Sequence, residues 1–133
     1  MNNFRRLVVV LAAGLTVACQ STGPNTTTIN GAYALASLNG ADMPVVTAGP
    51  DSIVSETLQF TQSGAFAVRN IHSFPNGGAG RTTVVKNLTG SYSRDGSSVV
   101  LQYNNGLGTN AASLNGSTIR TTFNGDAKVY TAQ

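Results

Sequence analysis

Four dipeptides punctuate the last third of this chain at intervals of nine or ten residues: Asp95-Gly96, Asn105-Gly106, Asn115-Gly116 and Asn124-Gly125. Asn-Gly and Asp-Gly tolerate the positive φ that a two-residue hairpin turn requires, so each predicts a reversal between adjacent strands. The segments between them alternate. Val99, Leu101 and Tyr103 share one parity, as do Ile119, Thr121 and Phe123, and later Val129 and Thr131. The small-residue stretch from Gly108 to Leu114 lies among them. Even turn spacing combined with a period of two predicts an antiparallel up-and-down meander. No amphipathic helix of useful length is found.

The same grammar extends upstream. Tyr33, Leu35 and Ser37 alternate with alanines across Ile29 to Asn39, and Asn39-Gly40 turns the chain. Ala41 to Ser52 contains Pro44, Gly49 and Pro50, which break regular structure, and is expected to be an irregular loop with at most one helical turn. Glu56 to Gln62 reads as a strand with Leu58 and Phe60 on one face. A tight Gln62-Ser63-Gly64 connection then leads to a returning strand bearing Phe66 and Val68. His72 to Arg81 is expected to be a glycine-rich loop, and Thr82 to Ser93 a strand with Val84, Leu88 and Tyr92 on one parity.

This makes about eight strands in an all-β domain. Closing them into a barrel removes the two exposed edges that an open sheet would leave. The expected interior is Tyr33, Leu35, Leu58, Phe60, Phe66, Val68, Tyr92, Val99, Leu101, Tyr103, Ile119, Phe123 and Val129. An eight-stranded barrel either fills with such side chains or holds one small ligand. The small wall Ala111-Ala112-Ser113 either leaves a cavity or lets a neighbouring side chain take the space. In the hollow case, the ligand would lie between the Phe60–Phe66 hairpin and that wall. Tyr33, Phe60, Phe66, Tyr103 and Phe123 would contact it, with Tyr33 and Tyr103 supplying polar tips.

The run Tyr33-x-Leu35-x-x-Leu38-Asn39-Gly40, then Leu58-x-Phe60 with Phe66, then Gly90-Ser91-Tyr92 with Asp95-Gly96 and Val99-Val100-Leu101, resembles small bacterial lipocalin-like envelope lipoproteins. The closing Val129-Tyr130 fits the same pattern. The resemblance implies an up-and-down antiparallel β-barrel and a small apolar ligand held within it.

The N-terminus carries an address. Arg5 and Arg6 precede an apolar run from Leu7 to Val17, followed by small Ala18 and then Cys19. Basic head, apolar middle and small residue at the cut site are the parts of a secretory signal. The run is shorter than the ~20 residues needed to cross a bilayer as a helix. Leu15-Thr16-Val17-Ala18-Cys19 resembles the lipobox of bacterial lipoproteins. That resemblance implies removal of residues 1–18 and attachment of lipid to Cys19. Gln20, rather than Asp, follows the cysteine, which by the enterobacterial sorting rule implies the outer membrane, facing the periplasm. Residues 19–28 are polar, contain Gly23-Pro24, and are expected to be a flexible tether. Residues 29–133 are expected to form the barrel domain.

The remaining chemistry is sparse. Beyond the signal, six basic residues face five acidic ones, a net charge of +1 without clustering, which gives no basis for nucleic-acid binding. Cys19 is the only cysteine, so no intramolecular disulfide is available. One histidine, His72, and five dispersed carboxylates do not suggest a metal site or a Ser-His-Asp triad, and no cofactor or enzymatic activity is expected. The expected function is therefore a non-enzymatic, membrane-anchored binding or structural module. The alternative is an inhibitor or adaptor that binds another envelope protein through the 72–81 loop.

Overall fold

A computed structural model of the chain describes residues 28–45, 52–78 and 80–133. The expected signal segment, Cys19 and nearly all of the expected tether lie outside the described residues. The described chain is all-β. Its strands are β1 (Gly31–Leu38), β2 (Ala41–Asp42), β3 (Ser52–Phe60), β4 (Ala65–Asn76), β5 (Gly80–Asp95), β6 (Ser98–Tyr103), β7 (Thr109–Asn115), β8 (Thr118–Phe123) and β9 (Asp126–Ala132). Each pairs antiparallel with its neighbour, and β9 returns to β1 from Tyr33↔Ala132 to Leu38↔Lys128. Eight strands thus close a barrel. The two-residue β2 turns back on β1, and Val45 bridges to Ile53, so residues 41–45 lie between the diverging upper parts of β1 and β3.

The turn signals act in two registers. Asn39-Gly40 and Asn124-Gly125 supply both central residues of their turns, with φ of 50° and 83°, and 51° and 88°. The flanking pairs are Leu38↔Ala41 and Phe123↔Asp126. At Asp95-Gly96 and Asn115-Gly116 the first residue still belongs to the strand, paired to Ser98 and Thr118, and the glycine opens the turn. A one-residue difference of this kind exchanges the two faces of a strand.

Antiparallel order sorts the connections to two ends. Thr28–Asn30, the turns at 61–64, 96–97 and 116–117, and Gln133 share one end. The opposite end carries the turns at 39–40, 104–108 and 124–125 and the tip of the β4–β5 hairpin. The chain therefore enters at the first end. There the Tyr92 hydroxyl accepts from Ile29 N at 2.9 Å and lies 2.8 Å and 2.9 Å from the carbonyl oxygens of Ile29 and Thr61. This end is filled. Phe60 meets Tyr33 and Tyr92 edge-on at centroid distances of 5.8 and 4.9 Å, and Phe66 meets Tyr103 edge-on at 5.1 Å. Such rings each bury a large apolar area, with an added preference for edge-to-face geometry. Leu58, Val99, Leu101 and Ile119 complete the buried layer.

Three sequence expectations change. His72 to Arg81 is not a loop: β4 runs to Asn76 and β5 begins at Gly80, paired from Phe74↔Thr82 to Asn76↔Gly80. Backbone pairing reaches Gly80, and Gly77 and Gly78 lie in the turn beyond it. The wall Ala111-Ala112-Ser113 presents only Ala112 inward, because strand residues alternate and its two neighbours are exposed. Val129 likewise does not face the interior. Lys128 and Tyr130 do, and both are buried.

Gly90 sits opposite Phe66 in the β4–β5 ladder. A Cβ there would come within 2.1 Å of the Gln102 carbonyl oxygen and 2.5 Å of Phe66 Cε1. The ring occupies the space that a side chain would need, and the Gln102 carbonyl, being backbone, cannot yield without moving β6. Gly90→Ala is therefore expected to destabilise the domain by about 3 kcal/mol or more, read as a lower urea midpoint. A midpoint equal to wild type would contradict this packing.

Candidate functional site

Glu56 follows an irregularity in the β3–β4 register between Ile53 and Ser55 and points into the barrel beside Leu58 and Phe60. A carboxylate in that position must be matched, because an unpaired buried charge costs several kcal/mol. Two strands supply the match. Lys128 on β9 places Nζ 2.9 Å from both Oε1 and Oε2. The Tyr130 hydroxyl, two residues on and on the same face, donates to Oε1, and the Asn70 amide on β4 donates to Oε2. Glu56 is 2% exposed and Lys128 9%. Charge-assisted bonds of this kind are stronger than neutral ones, and here they tie β3, β4 and β9 together across the interior.

Glu56, Asn70 and Lys128 of this network form the polar floor of a cavity of about 270 Å³. Ile53, Val68, Leu88 and Phe123 supply its apolar walls, and Tyr103 contributes an aromatic side with a hydroxyl. His72, Lys86, Asn124 and Asp126 also line it. Since Asn124 belongs to the β8–β9 turn, the cavity lies towards the end opposite the entry of the chain. At that rim Asn39 Nδ2 donates to Asp126 Oδ1 at 2.8 Å, and Ala127 N donates to Asn39 Oδ1 at 2.8 Å, which joins the β1–β2 and β8–β9 turns. On the hairpin side, His72 stacks on Phe74 at 6.0 Å with an interplanar angle of 10°, and Lys86 Nζ lies 5.9 Å from the Phe74 centroid.

The five residues expected to contact a ligand are thus divided. Tyr103 and Phe123 line the cavity and lie 5.1 Å apart. Tyr33, Phe60 and Phe66 are buried in the filled core and do not line it. Sequence reasoning missed Glu56, Lys128, Asn70 and Tyr130. Lys128 and Tyr130 share a strand parity, which was the available cue, but Val129 and Thr131 on the other parity made an equally regular pattern.

The phenols near Glu56 hold their protons tightly. Burial, then the Glu56 charge, pushes Tyr103 up to about 12, against a smaller opposing effect of the Asn110 side chain. Tyr130 is raised further, by burial first, then by the Glu56 charge and its hydrogen bond to that carboxylate, with a lesser contribution from Tyr103. Both stay protonated donors at neutral pH. Among the described residues, no group of three or more His, Cys, Asp or Glu side chains is placed to hold a metal ion. The arrangement can hold a small molecule with an apolar body and a hydrogen-bonding end.

A tyrosine in the unfolded chain ionises near 10, so folded Tyr103 binds its proton more tightly than unfolded Tyr103. The stability this supplies is complete below about pH 10 and is lost as pH rises through about 12. Unfolding free energy from urea titrations should fall across that window, with Tyr130 acting in the same direction. Tyr103→Phe should make the fall shallower. An unchanged slope in the variant would remove Tyr103 as a contributor.

No family model matches the chain, and neither the curated proteins nor the solved structures include a significant match.

Proposed function

We propose that this protein is a lipid-anchored envelope lipoprotein with a lipocalin-like barrel that binds a small, largely apolar ligand without catalysing its conversion. The observation that carries this reading is the cavity: apolar walls, a hydrogen-bonded floor, and a position at the end of the barrel away from the chain's entry. A chain tethered through Cys19 would have its membrane on the Ile29 side, leaving the mouth directed into the periplasm. The lipobox-like Leu15–Cys19 segment supports the anchor, and Gln20 supports the outer membrane. Two or more acyl chains hold firmly where one binds reversibly.

A second reading has its own support. β5 pairs with β6 only from Gly90 to Asp95, so its stretch from Gly80 to Leu88 has β4 on one side and no ladder partner on the other among the described residues. Val84 and Val85 on that stretch are 40% and 44% exposed. An unpaired edge can accept a strand from another protein, which keeps an inhibitor or adaptor role for the 72–81 hairpin open.

Two measurements test the leading reading. Radiolabelled palmitate should enter wild type and be lost in Cys19→Ala; equal labelling would overturn the anchor. Native mass spectrometry of protein purified from its own envelope should detect a small bound molecule in wild type that is lost in Leu88→Phe, which fills the cavity. Identical spectra from the two would overturn cavity binding. A protein partner lost only when the β4–β5 hairpin is shortened would favour the adaptor.

A further inference from the structure

We infer that the free edge of β5, from Gly80 to Leu88, takes up an extended acidic segment of another polypeptide as an added antiparallel strand. This deepens the second reading above and rests on it. The cavity plays no part.

The backbone fixes which residues can receive such a strand. Alternate residues of a strand direct their N–H and C=O groups to opposite sides. Tyr92 N donates to Gly64 O at 2.8 Å on the β4 side, while Thr89 O accepts from Asn104 N at 2.8 Å on the β6 side. The β4–β5 ladder shows no shift in register from Ala65↔Ser91 to Asn76↔Gly80, so this alternation holds along the whole stretch. Arg81, Thr83, Val85 and Asn87 therefore address the β6 side, where they meet no ladder partner among the described residues.

Natural edges are commonly closed to strand addition by a charge, a proline or a bulge. This stretch has no proline and no bulge, and its two cations lean the other way. Arg81 donates from Nε to Ser73 Oγ at 2.8 Å, and from Nη2 to Ser73 O and Ser52 Oγ at 2.7 and 3.0 Å, on β4 and β3. Lys86 Nζ stands 5.9 Å from the centroid of Phe74, also on β4. Between them lie Thr82, Thr83, Val84 and Val85, four β-branched residues of the kind that packs well across strands. The two valines are 40% and 44% exposed and lie on opposite faces, so the alternating side chains of an added strand would cover both.

Charge selects the occupant. Between Glu56 and Asp95 the chain carries Arg69, Arg81, Lys86 and Arg94 and no carboxylate. Arg69 lies opposite Asn87 in the ladder, so three of these cations belong to the part of the hairpin that bears the free edge. An acidic segment meets this field favourably and a basic one does not. A second copy of the chain is the poorer occupant. It would bring the same cations, and antiparallel pairing of two β5 edges would point the two chain entries in opposite directions.

Two nine-residue peptides with blocked ends test this. Both alternate valine and threonine; one has two threonines replaced by glutamate, the other has the same two replaced by lysine. Each is titrated at pH 7 and low salt into the full chain, with amide exchange followed by NMR. In the free protein the amides of Thr82, Val84 and Lys86 should already exchange slowly and those of Thr83, Val85 and Asn87 fast. The acidic peptide should slow the second set and bind about tenfold tighter than its lysine twin, an advantage that shrinks as salt rises. Val85→Pro removes one outward N–H without touching the β4 ladder and should abolish binding. Lys86→Gln, which keeps the edge intact, should narrow the preference to about threefold; an unchanged preference would overturn the role of charge. Equal binding of the two peptides, or tighter binding of the basic one, would overturn the acidic partner while leaving the edge as an adaptor surface. Protection of the same amides by raising the protein's own concentration would give the edge to a second copy and overturn the inference. No protection by either peptide would overturn both the acidic partner and the adaptor edge.

Discussion

Taking Glu56 out of water sets a condition that much of the barrel then satisfies. A carboxylate inside a domain of this size is tolerated only if its lone pairs and its charge are met by groups that are themselves held in place. Lys128 and Tyr130 come from β9, Asn70 from β4, and β9 is bonded to β1 by the ladder that closes the sheet. The network therefore draws together strands that are not neighbours in the ladder. It also explains why β9 turns its lysine inward. With Lys128 on the outer face, Glu56 would be buried with neutral donors alone.

The barrel's two ends divide the labour. Around the chain's entry, aromatic rings and aliphatic side chains fill the interior, and Tyr92 secures the backbone of Ile29 and Thr61. Towards the other end, beyond Val68 and Leu88, polar residues take over and the packing opens into a cavity. The two alternatives for an eight-stranded barrel, filled or hollow, are thus realised at opposite ends of one molecule. Strand length contributes: β4 and β5 run on past their neighbours, to Asn76 and from Gly80, and raise one side of the mouth. The filled end and the first described residues of the chain share one pole. That is the polarity a protein needs if it stands on a surface and samples solution.

Much of the architecture was legible in the chain. Asn39-Gly40 and Asn124-Gly125 specify their turns directly, since each residue pair takes the two left-handed conformations that such a reversal demands. Alternation placed Leu58, Phe60, Phe66, Leu101, Tyr103 and Ile119 inside. The glycine-rich His72–Arg81 stretch was misread because glycine lowers strand propensity, while twelve consecutive cross-strand pairs from Ala65↔Ser91 to Asn76↔Gly80 override it. The candidate site was half legible. Tyr103 and Phe123 were visible as large side chains on the right parity, whereas Tyr33, Phe60 and Phe66 share that character yet lie in the filled core.

What the sequence determined by itself was local: where the chain reverses and which strand faces are apolar. These are properties of neighbouring residues and their backbone preferences. Tertiary structure alone decided that Glu56, Asn70, Lys128 and Tyr130 would meet, because residues 56 and 128 lie 72 positions apart and touch only when the sheet has closed. It likewise decided the face of β9. Two parities were open there, and the choice came from the buried charge on a distant strand rather than from any pattern within β9.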